Sequence, residues 1–396
     1  MLKKRFTLNI IMSIRKTLFP ALLLQLLLAC GLDNNKSVDN NELNKCVVDT
    51  TGRAKIPNEG IMQGIYRMAH YAGSENLFVG YNSFSNQLEC IDLETLQAVK
   101  IITLPPEGPT FVAGLMSFYY HNRDSIFLLG SYKLALINDR GEVHFAENIN
   151  REVRKITGLD FVRYSIYNDP NNNQPIYYNP KDGKLYFAIK SFGNPSTTDY
   201  YENPLCARLN LVDMHIETMP LYYPDAFKQT NTYYPLDKPN LLFMSEQIIY
   251  SFKHQSDIYR FDLAAGSSER FSCPSAHQVN EVAPLEQARR GDQFAVMQHL
   301  SNNPEYKFIL FDPFAGYYYR FYYGAYPYPD EPNAGGKRGY LYVSVIDTNF
   351  QLRHEEQLSL QYRYFGATAT PRGLLIKGTD EEEGYNNYTY FRFVCK

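Results

Sequence analysis

Short apolar segments alternate with polar turns along almost the whole chain. Leu77–Tyr81 is mostly apolar, Leu88–Asp92 alternates between apolar and polar positions, and Val99–Leu104 is another strand-like segment. The stretch Ser83–Asn86 carries residues that favour a turn. Because the segments are short and their connections brief, they predict three antiparallel strands in a meander.

Related units recur as far as the C-terminus. The later strand-like segments are Ile126–Gly130, Leu134–Asp139, Leu185–Ile189, Ala207–Leu211, Ile248–Phe252, Ile258–Asp262, Phe294–Met297, Phe308–Asp312, Tyr340–Asp347, Leu374–Lys377 and Tyr388–Val394. Beyond the N-terminal region, only Ala283–Arg290 suggests a short helix. The units repeat every 35 to 50 residues, roughly, with one longer gap, which is typical of blades of about four strands. The pattern predicts an all-β protein with a β-propeller fold, and the repeat count permits six or seven blades.

Many strand-like segments end in a carboxylate or an amide side chain. These residues are Asp92, Asn138, Asn210, Asp262, Asp312 and Asp347. A short polar side chain at a strand end accepts a hydrogen bond from the backbone N–H two residues on and so stabilises the following turn. We interpret all six as turn-forming residues and not as metal ligands.

The ring of a propeller must close, because open first and last blades would expose unpaired strand edges. The last unit supplies two clear strands, Leu374–Lys377 and Tyr388–Val394. We expect the segment Val47–Thr50 to add an outer strand there, so that the N- and C-terminal strands pair. That pairing would bring Cys46 close to Cys395, and a disulfide between them is possible in an oxidising compartment.

The N-terminal region has the pattern of an export signal. A basic start, Lys3–Arg5, precedes the apolar run Leu18–Ala29. This run is shorter than the roughly 20 residues of a membrane-spanning helix. The end of the run, Leu27–Cys30, resembles the lipobox of bacterial lipoproteins, in which the chain is cut before the Cys and the Cys carries the lipid. We therefore predict lipidation of Cys30.

This pattern divides the chain into three parts. We predict a signal peptide over residues 1–29, a flexible polar tether over 30–45 and a single propeller domain over 46–396. The lipid at Cys30 would attach the protein to the outer membrane. Only Asp33 stands where an acidic cluster favours display on the cell surface, so a periplasm-facing and a surface-exposed position both remain open.

Composition points to a binding surface rich in tyrosine. The net charge of −3 is close to neutral and argues against nucleic acid as a partner, while the chain has 34 Tyr and no Trp. Tyrosine combines a flat apolar ring with a polar tip, which suits recognition of a protein, peptide or glycan. The dense region Tyr317–Tyr328 and two Tyr-Tyr-Pro loops supply the candidate recognition residues Tyr222, Tyr223, Tyr233, Tyr234, Tyr326 and Tyr328. The alternative is that these tyrosines pack between blades.

The sequence contains no motif that carries known chemistry. Its histidines are scattered singly without H-E-x-x-H spacing, and neither a C-x-x-C pair nor a G-x-S-x-G elbow occurs. We therefore predict no catalytic residue, no metal site and no cofactor. The alternative is a hydrolase or lyase whose residues come from separate blades and meet at the mouth of the central channel.

The region from Leu77 to Phe145 resembles a family of Bacteroidota lipoproteins of unknown function with a TolB-like propeller. The matching residues are Tyr81–Asn82, Ile91–Leu93, Glu107–Pro109, Phe118–Asn122, Asp124–Phe127 and Asp139–Gly141, with Gly373–Ile376 near the C-terminus. The resemblance implies six blades. It implies no activity and no catalytic residues, because the family has no established function.

Overall fold

The described part of the chain folds into six small antiparallel sheets. The computed structural model describes residues 46–108, 112, 114–130, 133–149, 158–160, 163–167, 176–195, 197–229, 236–328, 337–359, 361–380 and 382–395. Each sheet is one blade of a six-bladed β-propeller, which confirms the predicted fold class and the six blades.

The blades follow one another in chain order. Blade 1 contains β2 (Ala69–Ala72), β3 (Leu77–Asn82), β4 (Gln87–Asp92) and β5 (Gln97–Thr103). Blade 2 contains β6 (Leu115–Asn122), β7 (Ser125–Gly130), β8 (Lys133–Ile137) and β9 (Val143–Asn148). Blade 3 contains β10 (Tyr164–Ile166), β11 (Ile176–Asn179), β12 (Lys184–Ser191), β13 (Cys206–Asn210) and β14 (His215–Thr218).

The second half of the ring has the same plan. Blade 4 contains β15 (Pro239–Phe243), β16 (Gln247–Phe252), β17 (Ile258–Asp262) and β18 (Ser267–Phe271). Blade 5 contains β19 (Glu305–Asp312), β20 (Tyr317–Tyr323), β21 (Leu341–Ile346) and β22 (Leu352–Leu358). Blade 6 contains β23 (Tyr362–Thr370), β24 (Gly373–Gly378), β25 (Tyr385–Cys395) and the first strand of the domain, β1 (Cys46–Pro57).

Among the described residues, helices occur only in the connections between strands. They are α1 (Asp225–Gln229), α2 (Gln293–Asn302) and two 3-10 helices, Thr198–Glu202 and Gln287–Arg289. Within the part of the chain that the structure describes, no helix is both long and apolar enough to cross a bilayer.

Each pair of neighbouring blades shares its own apolar core. Six clusters of buried side chains lie at the interfaces between blades 1 and 2, 2 and 3, 3 and 4, 4 and 5, 5 and 6, and 6 and 1. Within one strand the side chains alternate between two interfaces: Leu128 packs towards blade 1, whereas Phe127 and Leu129 pack towards blade 3. A strand that is buried on both faces reads as a continuous apolar run, which explains the runs in the sequence.

The ring is closed by its terminal strands, as the sequence predicted. The outer strand β1 pairs antiparallel with β25 in blade 6, and Cys46 stands opposite Cys395 in the register. The two cysteines form a disulfide. The free cysteines among the described residues, Cys90, Cys206 and Cys273, are all buried.

The six polar residues at strand ends form turns, which confirms their interpretation. The side-chain oxygens of Asp92, Asn138, Asn210, Asp262, Asp312 and Asp347 each accept a hydrogen bond from the backbone N–H two residues on. In the hairpins after Asp262 and Asp312, a glycine with positive φ completes the turn at Gly266 and Gly316. The side-chain oxygens of these four aspartates and two asparagines are therefore engaged in hydrogen bonds with the backbone.

One expectation about secondary structure was wrong, and two were incomplete. Phe294–Met297 belongs to α2 and not to a strand, because Asp292 caps a helix there by accepting from the Phe294 N–H at 2.9 Å. The expected helix over Ala283–Arg290 is reduced to a 3-10 turn. Blade 6 has a third strand of its own, β23, whose small and polar residues hide the apolar pattern.

Candidate ligand-binding site

The two faces of the propeller differ in their connections. Since successive strands of a blade are antiparallel, their connections alternate between the faces. Short hairpins join the first strand to the second and the third to the fourth, and we call that side the turn face. The other side, the loop face, carries the connections between blades and those between second and third strands. As far as the structure describes them, the long connections of the loop face include residues 58–68, 197–205, 219–229, 272–304 and 324–328.

A cavity of about 720 Å³ opens on the loop face where blades 1, 2 and 6 meet. We call it the mouth cavity. Its apolar walls come from Met62, Ile65, Met68, Phe84, Leu115 and Phe365. Two arginines, Arg67 and Arg363, also line it, and neither Asp nor Glu is among its described lining residues. The volume falls in the range of small-molecule binding sites.

The 58–68 wall of the mouth cavity is held by a buried carboxylate. Glu89 has 0% exposure, and its oxygens accept hydrogen bonds from the Met62 N–H at 2.9 and 3.1 Å and from the Tyr66 hydroxyl. They also accept from the side-chain amides of Asn82 at 2.7 Å and Gln87 at 2.8 Å. The Tyr66 ring lies against Gly80, where a Cβ atom would come within 2.4 Å of the ring. Glu89 therefore fixes the connection that carries Arg67.

Asn386 of blade 6 holds the same connection from the other side. Its side-chain oxygen accepts from the Gly64 N–H at 3.1 Å and from the Lys377 ammonium at 3.2 Å. Its amide donates to the Met62 carbonyl at 2.9 Å. The wall is thus tied to both blades that it connects, and the cavity is preformed.

A buried group of charged residues lies next to the cavity, at the start of the inner strand β19. Lys307, Arg338 and Lys253 approach the carboxylate of Glu305 at 2.5, 3.1 and 3.6 Å. Burial lowers the pKa of Lys307 to about 8, although Glu305 acts in the opposite direction. Burial alone would raise the pKa of Glu305, but Lys307, Lys253 and Arg338 together hold it below its usual value. The Tyr323 hydroxyl interacts electrostatically with Glu305 and Arg338 of this group and also with Arg363 of the cavity. The charged group and the cavity arginines therefore lie near the same tyrosine.

Neither the mouth cavity nor the charged group could be predicted from the sequence. The local signal for the group is the pair of charges in Glu305-Tyr-Lys307, at the head of an apolar strand. Nothing local indicates that Lys253 and Arg338 reach the same carboxylate. Arg67 and Arg363 come from opposite ends of the chain, so only the closed ring brings them together.

The turn-face end of the central channel is apolar. A cavity of about 340 Å³ is lined there by inner strands of five blades, with His70, Tyr71, Tyr177, Phe311 and Phe314 among its aromatic side chains. Burial lowers the pKa of His70 to about 4, so this imidazole is neutral at physiological pH. No cluster of His, Cys, Asp or Glu suited to a metal ion occurs among the residues that the structure describes.

The predicted recognition tyrosines are distributed between surface and core. Tyr222 is 46% exposed and Tyr328 is 59% exposed, and both lie in connections of the loop face. Tyr326 is half-buried beside Tyr328, with ring centroids 5.9 Å apart, and the Lys337 ammonium lies 5.2 Å from the centre of the Tyr326 ring. Tyr233, Tyr234 and the lipidation residue Cys30 lie outside the described residues.

Two expectations about exposed tyrosines are corrected by the fold. Tyr223 is only 8% exposed, and its ring packs against Tyr201 and Phe252 at 5.0 and 5.6 Å between centroids. The stretch Tyr317–Tyr323 is the strand β20, in which Tyr318, Tyr319 and Tyr322 are buried. The rings of Tyr223, Tyr318 and Tyr319 fill interfaces between blades, which is the alternative that the sequence left open, whereas Tyr322 packs with Tyr306 and Tyr342 of its own blade.

Comparison with known proteins places the fold in a family. The pattern of a domain of unknown function, DUF4221, matches residues 62–357. A crystal structure of a DUF4221 family member from Bacteroides vulgatus has a TM-score of 0.73 at 17% sequence identity, covering 89% of this chain and 100% of that chain. A Bacteroides fragilis protein whose name suggests export has a TM-score of 0.55 at 10% identity, covering 88% of this chain and 96% of its own.

At such identities the structural likeness shows the fold alone. A comparison with curated proteins gave no match. The family match, by contrast, covers most of the chain and includes residues 62–68 of the mouth cavity's wall, the inner strand β19 and all but the last residue of blades 1 to 5. The chain therefore belongs to the DUF4221 family, a family of unknown function with a six-bladed propeller.

Proposed function

We propose that this protein is an exported lipoprotein whose propeller acts as a binding or scaffold module. It takes a protein, peptide or glycan on the loop face. The observation that carries the proposal is that the long connections gather on one face and present Tyr222 and Tyr328 to solvent there. The turn face offers mainly short hairpins, which give a partner little to recognise.

The proposed anchor suits this arrangement. Cleavage before Cys30 would leave the lipid and a tether over 30–45, which joins the domain at Cys46. Cys46 lies at the turn-face end of β1, because β1 runs from the turn face to the connection 58–68. The tether would therefore join the domain on the face opposite to the long connections. This holds for a periplasm-facing and for a surface-exposed protein.

A second candidate function, a hydrolase or lyase, is favoured by one observation. Lys307 is buried beside Glu305 at the loop-face end of an inner strand, and its pKa is lowered to about 8. A lysine with a lowered pKa is a candidate base or nucleophile. We rank this function second because Lys307 is engaged by Glu305, which is the arrangement of a structural ion pair.

Site-specific photo-crosslinking tests the proposed binding face. A photoreactive residue at position 222 or 328 should capture the partner in the native membrane, whereas the same residue at Phe314, which is exposed on the turn face, should not. Tyr222→Ala and Tyr328→Ala should each reduce capture while the melting temperature stays within about 2 °C of the unmodified protein, since both are surface changes. Equal capture from both faces would contradict the proposal.

A further inference from the structure

The lining of the mouth cavity indicates a narrower class of ligand than the tyrosine-bearing connections do. Its walls are apolar on most sides, and the charged groups among its described lining residues are two guanidinium groups. Arg67 comes from the connection 58–68, whereas Arg363 comes from the inner strand β23 on the opposite side. A ligand inside would meet positive charge from two walls and apolar surface from the others.

The fold sets the backbone positions of both arginines. Arg67 follows Tyr66, which is fixed by Glu89 and by its packing on Gly80. Arg363 stands in register with Lys377 on the neighbouring strand and donates to the Tyr362 carbonyl at 3.3 Å. Binding to such a preformed site loses little free energy to ordering the protein.

The surroundings of the cavity add to its positive potential. Lys253, Lys307 and Arg338 lie beyond Tyr323 and share the Glu305 carboxylate. Low-dielectric walls strengthen the field of such charges within a cleft and raise the local concentration of anions. Guanidinium groups are also well suited to hold a carboxylate, because they donate parallel hydrogen bonds to both of its oxygens.

We propose that the mouth cavity binds a small monocarboxylate with an apolar body, held at its carboxylate by Arg67 and Arg363. The apolar body lies against Met62, Ile65, Phe84 and Phe365. This site is independent of the tyrosine-bearing connections, which lie over blades 3 to 5. A neutral apolar ligand would remove water from the two guanidinium groups and offer them no acceptor in return, and a cation would be repelled by them.

Isothermal titration calorimetry of the purified, folded domain tests this site with two probes, dodecanoate and 2-naphthoate. We expect saturable one-to-one binding of at least one probe, with no comparable binding of its neutral alcohol, dodecanol or 2-naphthol. Arg67→Gln and Arg363→Gln should each weaken binding about tenfold or more, the loss typical of a charge-assisted hydrogen bond. The control Arg140→Gln, in an exposed hairpin of blade 2, should bind like the unmodified protein.

Several outcomes would overturn the assignment. They are no saturable binding of either carboxylate, equal binding of the alcohol, or unchanged affinity in both cavity variants. Should Arg363→Gln fail to fold, Arg67→Gln decides the result, because Arg67 is exposed and its loss leaves the core intact. Photo-crosslinking from positions 222 and 328 does not depend on this cavity, so failure of one proposal is distinguishable from failure of the other.

Discussion

The buried carboxylate of Glu89 allows a quantitative test of how the 58–68 wall is held. Replacement of Glu89 by Ala leaves four donors without their acceptor, and two of them, the Tyr66 hydroxyl and the Asn82 amide, belong to buried side chains. An unsatisfied buried donor costs roughly 1–3 kcal/mol, so Glu89→Ala should lower the free energy of unfolding by about 2–6 kcal/mol. Glu89→Gln keeps the size and one acceptor oxygen and should cost less.

Urea denaturation followed by tyrosine fluorescence measures this loss, because the chain contains no Trp. Glu269→Gln is the matched control: its carboxylate is exposed and pairs with Arg260 on the surface. Exposed ion pairs contribute about 1 kcal/mol or less. If Glu89→Ala loses no more free energy of unfolding than Glu269→Gln, the hydrogen bonds to Glu89 do not hold the wall, and packing alone must hold the connection 58–68.

Three further predictions follow from buried groups, chain closure and backbone conformation. Burial lowers the pKa of His254 to about 3, so the unfolded chain takes up a proton below pH 6.5 that the folded protein does not. Stability should fall by about 2 kcal/mol between pH 7 and 5 on this account, and His254→Gln should flatten that slope in urea titrations. Peptide mapping without reduction should recover Cys46 and Cys395 in one linked peptide, and reduction should cost up to about 5 kcal/mol because the closed loop is long; two free thiols would contradict the pairing. Gly266→Ala, at φ +65°, should cost about 1 kcal/mol, whereas Gly291→Ala, which meets no neighbour and lacks a positive φ, should be neutral or slightly stabilising; equal effects on the thermal midpoint would show that turn strain is unimportant.

The sequence predicted the parts of the fold that depend on local pattern. Strands buried on both faces appear as apolar runs, and polar side chains at their ends mark the hairpins, so the propeller and its turn residues could be read directly. Closure by β1 followed from the need to cover open edges and from the missing outer strand. Each of these signals lies within one strand or its turn.

The parts that the sequence did not predict depend on long-range contacts or on weak periodicity. The apolar run Phe294–Met297 is too short for its pattern to distinguish a helix from a strand. In the structure it is helical, and Asp292 caps the N-terminus of that helix. Tyr223 carries no sequence mark that distinguishes it from the exposed Tyr222. The mouth cavity is lined by Arg67 and Arg363, which are almost 300 residues apart in the chain. No local sequence pattern indicates that two such distant residues line the same cavity.

The disulfide between Cys46 and Cys395 has a mechanical consequence for a tethered protein. In a protein anchored by the proposed lipid at Cys30, a pull on the proposed loop-face partner would be balanced by tension in the chain before Cys46. Without the disulfide, that tension would act on the first pair of the β1–β25 ladder and peel its hydrogen bonds apart one after another. With it, the load passes directly to Cys395 in β25, a strand flanked on both sides by β1 and β24. The ring can therefore bear tension across the β1–β25 pairing. After reduction of the disulfide, this pairing should be the first part of the ring to open under load.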